Sequence, residues 1–530
     1  RVAKNYQTFF SFCRYKIQPR KDTEQALASP DFDPFAERKN EHPTTDNETL
    51  THLLKASLGT GILSMPIAFM YSGIVMGIVA TIFTAFICTH CSYVLVKCGH
   101  KLYYKTRRTK MSFAEIAEVA FLNGPKWARG FAPIAKFSIL FGLFLTYFGT
   151  CSVYTVIVSI LASSGDLSFS SLCEDLQRLY VTFFVCTFAD NYTLKIVRPC
   201  LYSSFLFLSS FMCERDRICR SSFLSFSHVS SIFSSLQVLE HWLGYGLSLR
   251  MLISALLIPL ILLSWIPNLK YLAPVSMIAN VFMGLGLGIT FYYLVQELPS
   301  IETREYANIS TLPAFFSITI FAMEAIGVVM PLENNMKTPR HFLGICGVLS
   351  QGMSGVTLIY MFLGFLGYLR YGEYTEESIT LNLPVHEWPA QAVKVLIALA
   401  VYCTFGLQFY VCLEIVWDGI KEKCTKRPVL VNYVLRTVLV TAAVVLAVSV
   451  PTIAPFMGLI GAFCFSILGL IFPVLIELIT HWDTGFGAGN WILWKNIVIG
   501  IFGVLALVFG SMSAIKDIVG LYTTTTESST

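Results

Sequence analysis

The chain has 530 residues, 55% of them hydrophobic and only 13% charged, with a formal net charge of +5 and a mean hydropathy of +0.64. Soluble domains carry about 25% charged residues, so this balance excludes an ordinary soluble enzyme and fits a polytopic membrane protein. The basic excess sits in short loops between apolar runs, the positive-inside pattern, and does not point to nucleic acid.

In chain order, residues 1–50 are expected to form a disordered cytosolic tail, rich in charges, prolines and turn formers. The chain opens on Arg1 rather than Met, so its N-terminus is expected to be incomplete. No apolar stretch followed by a small-residue cleavage site marks a signal peptide. The first span is expected near Thr51–Tyr71 and the second near Val75–Val96, joined at Ser72-Gly73. The segment Lys97–Arg129 holds eight Lys/Arg and is expected in the cytosol, with Met111–Leu122 as a short amphipathic helix on the membrane surface. A third span follows near Phe131–Leu161.

Residues 163–236 break the pattern with dense Ser, Phe and Cys. Three readings stand: an external loop, a gene-model insert, or an extra hairpin in the membrane. Asn191-Tyr-Thr193 is a glycosylation sequon if this stretch is external. Further spans are expected near 247–265, 272–295, 313–332, 342–368, 391–416, 431–450, 456–479 and 494–515. A second sequon, Asn308-Ile-Ser310, falls in an expected external loop. Eleven spans with a cytosolic N-terminus put every dense basic loop inside, Asn308 outside, and residues 516–530 in an extracytosolic tail. The membrane domain then occupies 51–515. Fifteen cysteines lie mostly inside apolar runs without zinc-type spacing, so neither a disulfide framework nor a metal site is expected.

Two spans depart from plain hydrophobicity in a matching way. Gly59-Thr60-Gly61 interrupts the first, and Glu324-Ala-Ile-Gly327 interrupts the sixth. A break in the first helix of each half, five spans apart, is what an inverted repeat of five plus five helices produces. Free N–H groups of half-helices suit a carboxylate, and unwound carbonyls with a nearby acid suit an ammonium. The plainer reading is that these glycines only permit close helix packing. Glu324 at mid-span has to be paired or protonated; it is a gate, a proton carrier, an ammonium partner, or a structural hydrogen bond to another helix. His52 titrates near physiological pH and is either a proton relay or an interfacial residue. Glu333, Lys337 and Arg340 lie at the membrane edge, where snorkelling and orientation are the expected roles. Glu414 is embedded near the end of its span, with Lys394 and Arg436 as candidate partners. No phosphate-binding loop, nucleophile motif or metal-ligand cluster is present, so no enzyme activity and no cofactor are expected. Of transporter, channel or receptor, and membrane enzyme, the paired breaks favour a secondary transporter.

These residues resemble the amino acid/auxin permease family, in its proton-coupled amino-acid transporter branch. The resemblance rests on His52-Leu-Leu-Lys-Ala-Ser-Leu-Gly-Thr-Gly-Ile-Leu-Ser-Met-Pro66 and Glu324-Ala-Ile-Gly-Val-Val-Met-Pro-Leu-Glu-Asn-Asn-Met-Lys-Thr-Pro339. It is supported by His90-Cys-Ser-Tyr-Val-Leu-Val-Lys-Cys98, Ser378-Ile-Thr-Leu-Asn-Leu-Pro384, Gln408-Phe-Tyr-Val411 and Arg436-Thr-Val-Leu-Val440. It implies an all-α, leucine-transporter-like fold of a 5+5 inverted repeat plus one helix. It also implies symport of small neutral amino acids with protons as the coupling ion, across a plasma or lysosomal/endosomal membrane. The implied substrate site is Ser57, Gly59, Thr60, Gly61, Glu324, Ile326 and Gly327, with His52 and Glu324 in proton coupling. An amino-acid-sensing transceptor and a sodium-coupled or uncoupled transporter are the alternatives. Position 57 is Ser where the family usually has Asn. Pro384 is followed by Val385-His386-Glu387-Trp388, without the family's cysteine, so no external disulfide is expected there. Residues 163–236 show no counterpart in the resemblance.

Overall fold

The first helix begins where the chain supplies its cap. In the computed structural model, the Thr45 hydroxyl accepts from Glu48 N–H while the Glu48 carboxylate accepts from Thr45 N–H. This reciprocal pair satisfies two N–H groups that a bare helix start leaves open. The structure describes residues 32–38, 43–164, 248–266, 269–296, 298–323, 325–421 and 427–527. The stretch 165–247, with Asn191, lies outside the described residues, as does Glu324.

Helix α1 (Asp46–Ser57) stops at the glycines, a short 3-10 turn covers Thr60–Ser64, and α2 (Met65–Ser72) resumes with Pro66 in its first turn. A missing amide proton is harmless at that position. The two halves are bent by 49°. Gly73 turns the chain with a φ of +80°, and a Cβ there would sit 2.7 Å from Ala307 N. The loop at 305–311 is tied to this turn: Asn308 N–H donates to Ser72 O at 2.9 Å, and the Thr311 hydroxyl donates to Tyr71 O. Gly73 is thus required by the turn and its covering loop.

After α3 (Ile74–Thr106) comes α4 (Phe113–Leu122), capped by the Ser112–Glu115 pair. The expected amphipathic helix is present, but its apolar face is covered by protein. Phe113, Ile116, Ala117 and Ala120 are all buried, and α4 packs between α5 (Ala132–Ser163) and the last helix of the tenth span. Glu115 and Glu118 stay partly exposed on one face, while the apolar face is covered by neighbouring helices.

The fourth span is two short helices, α6 (Leu249–Ala255) and α7 (Leu257–Ser264), and the fifth is α8 (Leu269–Val295). The sixth is again split, into α9 (Leu312–Met323) and α10 (Ile326–Asn335). Then follow α11 (Val348–Tyr371), α12 (Trp388–Ile420) and α13 (Pro428–Ser449). The tenth span runs as α14 (Ala454–Ile460), a π-helical stretch (Gly461–Ile471) and α15 (Phe472–His481). The last comprises α16 (Trp491–Leu505), a π turn and α17 (Ser511–Glu527). Among the described residues there is no named strand. Eight helices among the described residues are long and apolar enough to cross a membrane, or nine with the bent α1–α2 pair; Leu249–Ser264 and Ala279–Val295 are shorter apolar helices at the positions of the expected fourth and fifth spans.

Two packing groups emerge. Helix α12 lies between α5 and α8, and α5 also meets α13. Helices α2, α9, α11 and the tenth span form the other group, with α11 covering α1, α2 and α3. Both broken spans belong to the second group, where they pack on each other.

The expected free tail is packed over 32–38 and 43–50. Arg38, 2% exposed at its side chain, donates from both terminal nitrogens to Glu333 Oε1 at 3.2 Å, and to Glu333 O at 3.0 Å. Thr44 pairs with Met336 in a short parallel bridge. A buried carboxylate at 333 needs a cation, and the tail supplies it.

Candidate functional site

The break in the first span follows from its glycines and from what surrounds them. Leu58 N–H still bonds to Leu54 O at 2.8 Å, but Gly59 leaves the helical region at φ −89°, ψ −165°. The carbonyl freed at Ser57 accepts from Gly59 N–H at 2.9 Å and from the hydroxyl of Tyr360 of α11 at 2.6 Å, a hydroxyl that itself meets Gly59 N–H. Unwound backbone at membrane depth requires such partners. Tyr154 of α5, 4% exposed, hydrogen-bonds both Thr60 on the break and Gln408 on α12. The break is thus held by one tyrosine from each packing group.

The two breaks touch. A Cβ on Gly61 would lie 2.7 Å from Ala322 Cα, so the first span rests backbone-to-backbone on the sixth, just before its own interruption. A Cβ on Gly327 would lie 2.8 Å from the Tyr147 hydroxyl, so that glycine admits a polar side chain from α5.

Between them lies a cavity of about 200 Å³, well above the roughly 10–15 Å³ one water requires on the same measure. Its wall includes Ser57, Gly59, Thr60, Gly61 and Gly327 of the expected site. His52 and Lys55 also line it, and His52 lies within electrostatic range of Lys55 and Glu48. Exposure falls along the break: His52, Lys55, Ala56 and Leu58 are partly or fully exposed, whereas Thr60 to Phe69 are buried. The cavity therefore opens on the face that holds the start of α1 and is sealed beyond Thr60. Ser57 Oγ, in a residue 3% exposed, has no hydrogen-bond partner among the described residues. A buried hydroxyl left open beside a cavity is a group a solute can satisfy.

Ile326 is buried in the adjoining apolar cluster and does not line the cavity. Asn308 sits on the face opposite the cavity mouth, its carbonyl oxygen accepting from the Ser310 hydroxyl at 2.7 Å. Sequence reasoning missed Tyr154, Tyr360, Tyr147, Thr146 and Thr150 as site residues. Helical spacing offered a signal, because Tyr147, Thr150 and Tyr154 fall at i, i+3 and i+7 of one apolar helix.

Other polar groups are structural. Lys394 donates to Ser164 O at 3.0 Å. Arg436 donates to Ile266 O at 2.9 Å and to Ser264 O, closing the end of α7. Glu333, expected at the membrane edge, is fully buried. Besides Arg38 it bonds His100 Nε2 at 2.9 Å and accepts from the Tyr103 hydroxyl at 3.2 Å. Lys110, in the loop beside this cluster, has its ammonium held below its ordinary range by burial and then by Arg38.

Comparison with known proteins agrees with this architecture. The family model described as transmembrane amino acid transporter protein matches residues 42–213 and 218–516, leaving out only 214–217 between its segments. The chain is 69% identical over 509 residues to the proton-coupled amino acid transporter-like protein pathetic of Drosophila melanogaster, covering 96% of this chain and 93% of the relative. It is 25% identical over 479 residues to the amino acid transporter AVT3C of Arabidopsis thaliana, covering 89% of this chain and 90% of the relative. The broken helices, the cavity between them and these matches lead to one conclusion: the chain belongs to the transmembrane amino acid transporter family, and is a multi-pass membrane transporter rather than an enzyme.

Proposed function

We propose that the chain is a symporter of small neutral amino acids coupled to protons, with its N-terminus in the cytosol and its cavity here open to that side. The observation that carries the reading is the cavity at the touching helix breaks, where the Ser57 hydroxyl and the backbone around Gly59–Gly61 face a solute-sized space. An amino-acid carboxylate is held by N–H groups of the break and its ammonium by carbonyls of the two interrupted spans. Glu324, between α9 and α10 in the chain, is the acid for that ammonium or for the coupled proton. Tyr154 and Gln408 hold the break to the opposite packing group, so occupancy of the cavity is transmitted to α5 and α12. In this reading His52, which lines the cavity beside Lys55, exchanges a proton with the cytosol. The name of the Drosophila relative supports the proton as coupling ion.

The test is alanine-evoked current in cells displaying the full chain on their surface. Currents are expected to rise when the extracytosolic solution is made acidic. Uptake of alanine without any pH dependence would refute proton coupling, and no uptake of any amino acid would refute transport.

A further inference from the structure

We propose that Glu377, on the loop between α11 and α12, is a second proton-binding site that ties closure of the extracytosolic side to acid on that side. The proposal rests on the transport reading and membrane orientation given above.

Three elements meet at this residue. Its backbone carbonyl accepts from the Ser64 hydroxyl at 2.8 Å, and Ser64 is the fully buried last residue of the 3-10 turn after the first break. Its carboxylate Oε2 accepts from Ile453 N–H at 2.6 Å and also meets Ala454 N–H, where the tenth span begins. Ser64 Oγ lies 3.5 Å from Met457 Sδ one turn further along that span. One loop residue thus clasps the broken first span to the tenth, on the side where the cavity is sealed. Opening that side requires these elements to part, which returns the carboxyl to water.

No Lys, Arg or His forms an ion pair with Glu377 among the described residues. The charged and titratable groups facing it are Glu376 on its own loop and Tyr71 of α2. Tyr71 also feels Asp517 of α17, which has Lys516 beside it. The negative charge of Glu376 disfavours a second one on Glu377.

Burial lifts the Glu377 carboxyl above its ordinary value, against the two N–H donors that favour its charged form. A carboxyl whose pKa is higher in the closed arrangement than in the open one binds its proton more tightly when closed. Falling pH on that side then favours closure, and the gain is lost as pH rises through the raised value. Each unit of difference between the two arrangements shifts the closing equilibrium about tenfold. The proton enters on Oε1, while Oε2 stays an acceptor for Ile453 N–H. When the side reopens, the proton returns to the solution it came from, so it speeds the inward step without being carried across.

The experiment uses the full chain in proteoliposomes, with L-alanine as the probe and the pH of each side set separately. Glu377→Gln keeps the acceptor and removes the titration. Its uptake at neutral extracytosolic pH is expected to reach the wild-type acidic level, and its dependence on that pH to flatten. Protons moved per alanine and dependence on cytosolic-side pH are expected to stay unchanged. Glu377→Asp is expected to restore pH dependence. A Glu377→Gln profile equal to the wild type, or a fall in protons moved per alanine, would overturn the proposal. If Glu377→Gln does not fold, hydrogen exchange of the wild-type loop over 372–383, corrected for intrinsic rates, decides. Protection that rises with acid supports the proposal, and protection that does not change overturns it. A wild type that moves alanine without protons would refute coupling and leave both Glu377 readouts intact.

Discussion

Replacing Gly61 with Ala should separate the two interrupted spans, whereas replacing Gly59 with Ala should not. Both glycines sit in the same break, two residues apart, and helix propensity treats them alike at about 1 kcal/mol each. Their surroundings differ. A Cβ on Gly59 meets nothing within 4 Å, and its φ of −89° is open to any residue. A Cβ on Gly61 lies 2.7 Å from Ala322 Cα and 2.9 Å from Ala322 Cβ. Reaching ordinary contact at 3.4 Å requires a shift of 0.7 Å, and the obstacle is backbone, not the end of a flexible side chain. Overpacking of this kind costs about 1–3 kcal/mol, enough to lower the population of the packed arrangement about fivefold to 150-fold. The cavity wall moves with it, because Gly61 and Ala322 both line it. Alanine uptake and thermal unfolding in detergent should be measured side by side for the two variants. Gly61→Ala is expected to lose most uptake and to unfold earlier, and Gly59→Ala to stay near the wild type in stability. Equal behaviour of the two variants would refute direct backbone contact between the spans.

Two further predictions concern the supports of the site. Tyr360→Phe removes one of two donors to Ser57 O, which keeps Gly59 N–H, so the cost is that of one hydrogen bond, about 0.5–1.5 kcal/mol; weaker uptake with a raised KM and a lower unfolding temperature would register it, and no change in either would exclude the bond. Glu333→Ala leaves the Arg38 guanidinium buried without its carboxylate, at a cost of about 3–5 kcal/mol. Arg38→Ala should cost less, since Glu333 keeps His100 and Tyr103. Unfolding temperatures of the two variants in the opposite order would show that the network is not centred on Glu333.

Much of the architecture was legible in the residues. Long apolar runs with basic loops can only be satisfied by helices in hydrocarbon, and a glycine pair in one run and an embedded acid with a glycine in the other mark where such a helix yields. The breaks at Gly59–Gly61 and between Met323 and Ile326 were therefore visible as interruptions in otherwise uniform runs. The burial of α4 was not, because its ten residues suit a membrane surface as well as a core slot, and only α5 and the tenth span decide between them. Nor was the packing of the tail: Arg38 and Glu333 are separated by 295 residues, and neither has a sequence neighbour that announces the other.

The chain by itself determined its solvent, the kind of element it forms, and the two places where those elements break, since these follow from local composition and the cost of unsatisfied backbone in lipid. The tertiary structure alone decided that the breaks touch, that Tyr154 and Tyr360 hold the first of them, and that Glu377 clasps the far side. Those are contacts between segments distant in the chain, and they depend, to within tenths of an ångström, on how the helices cross.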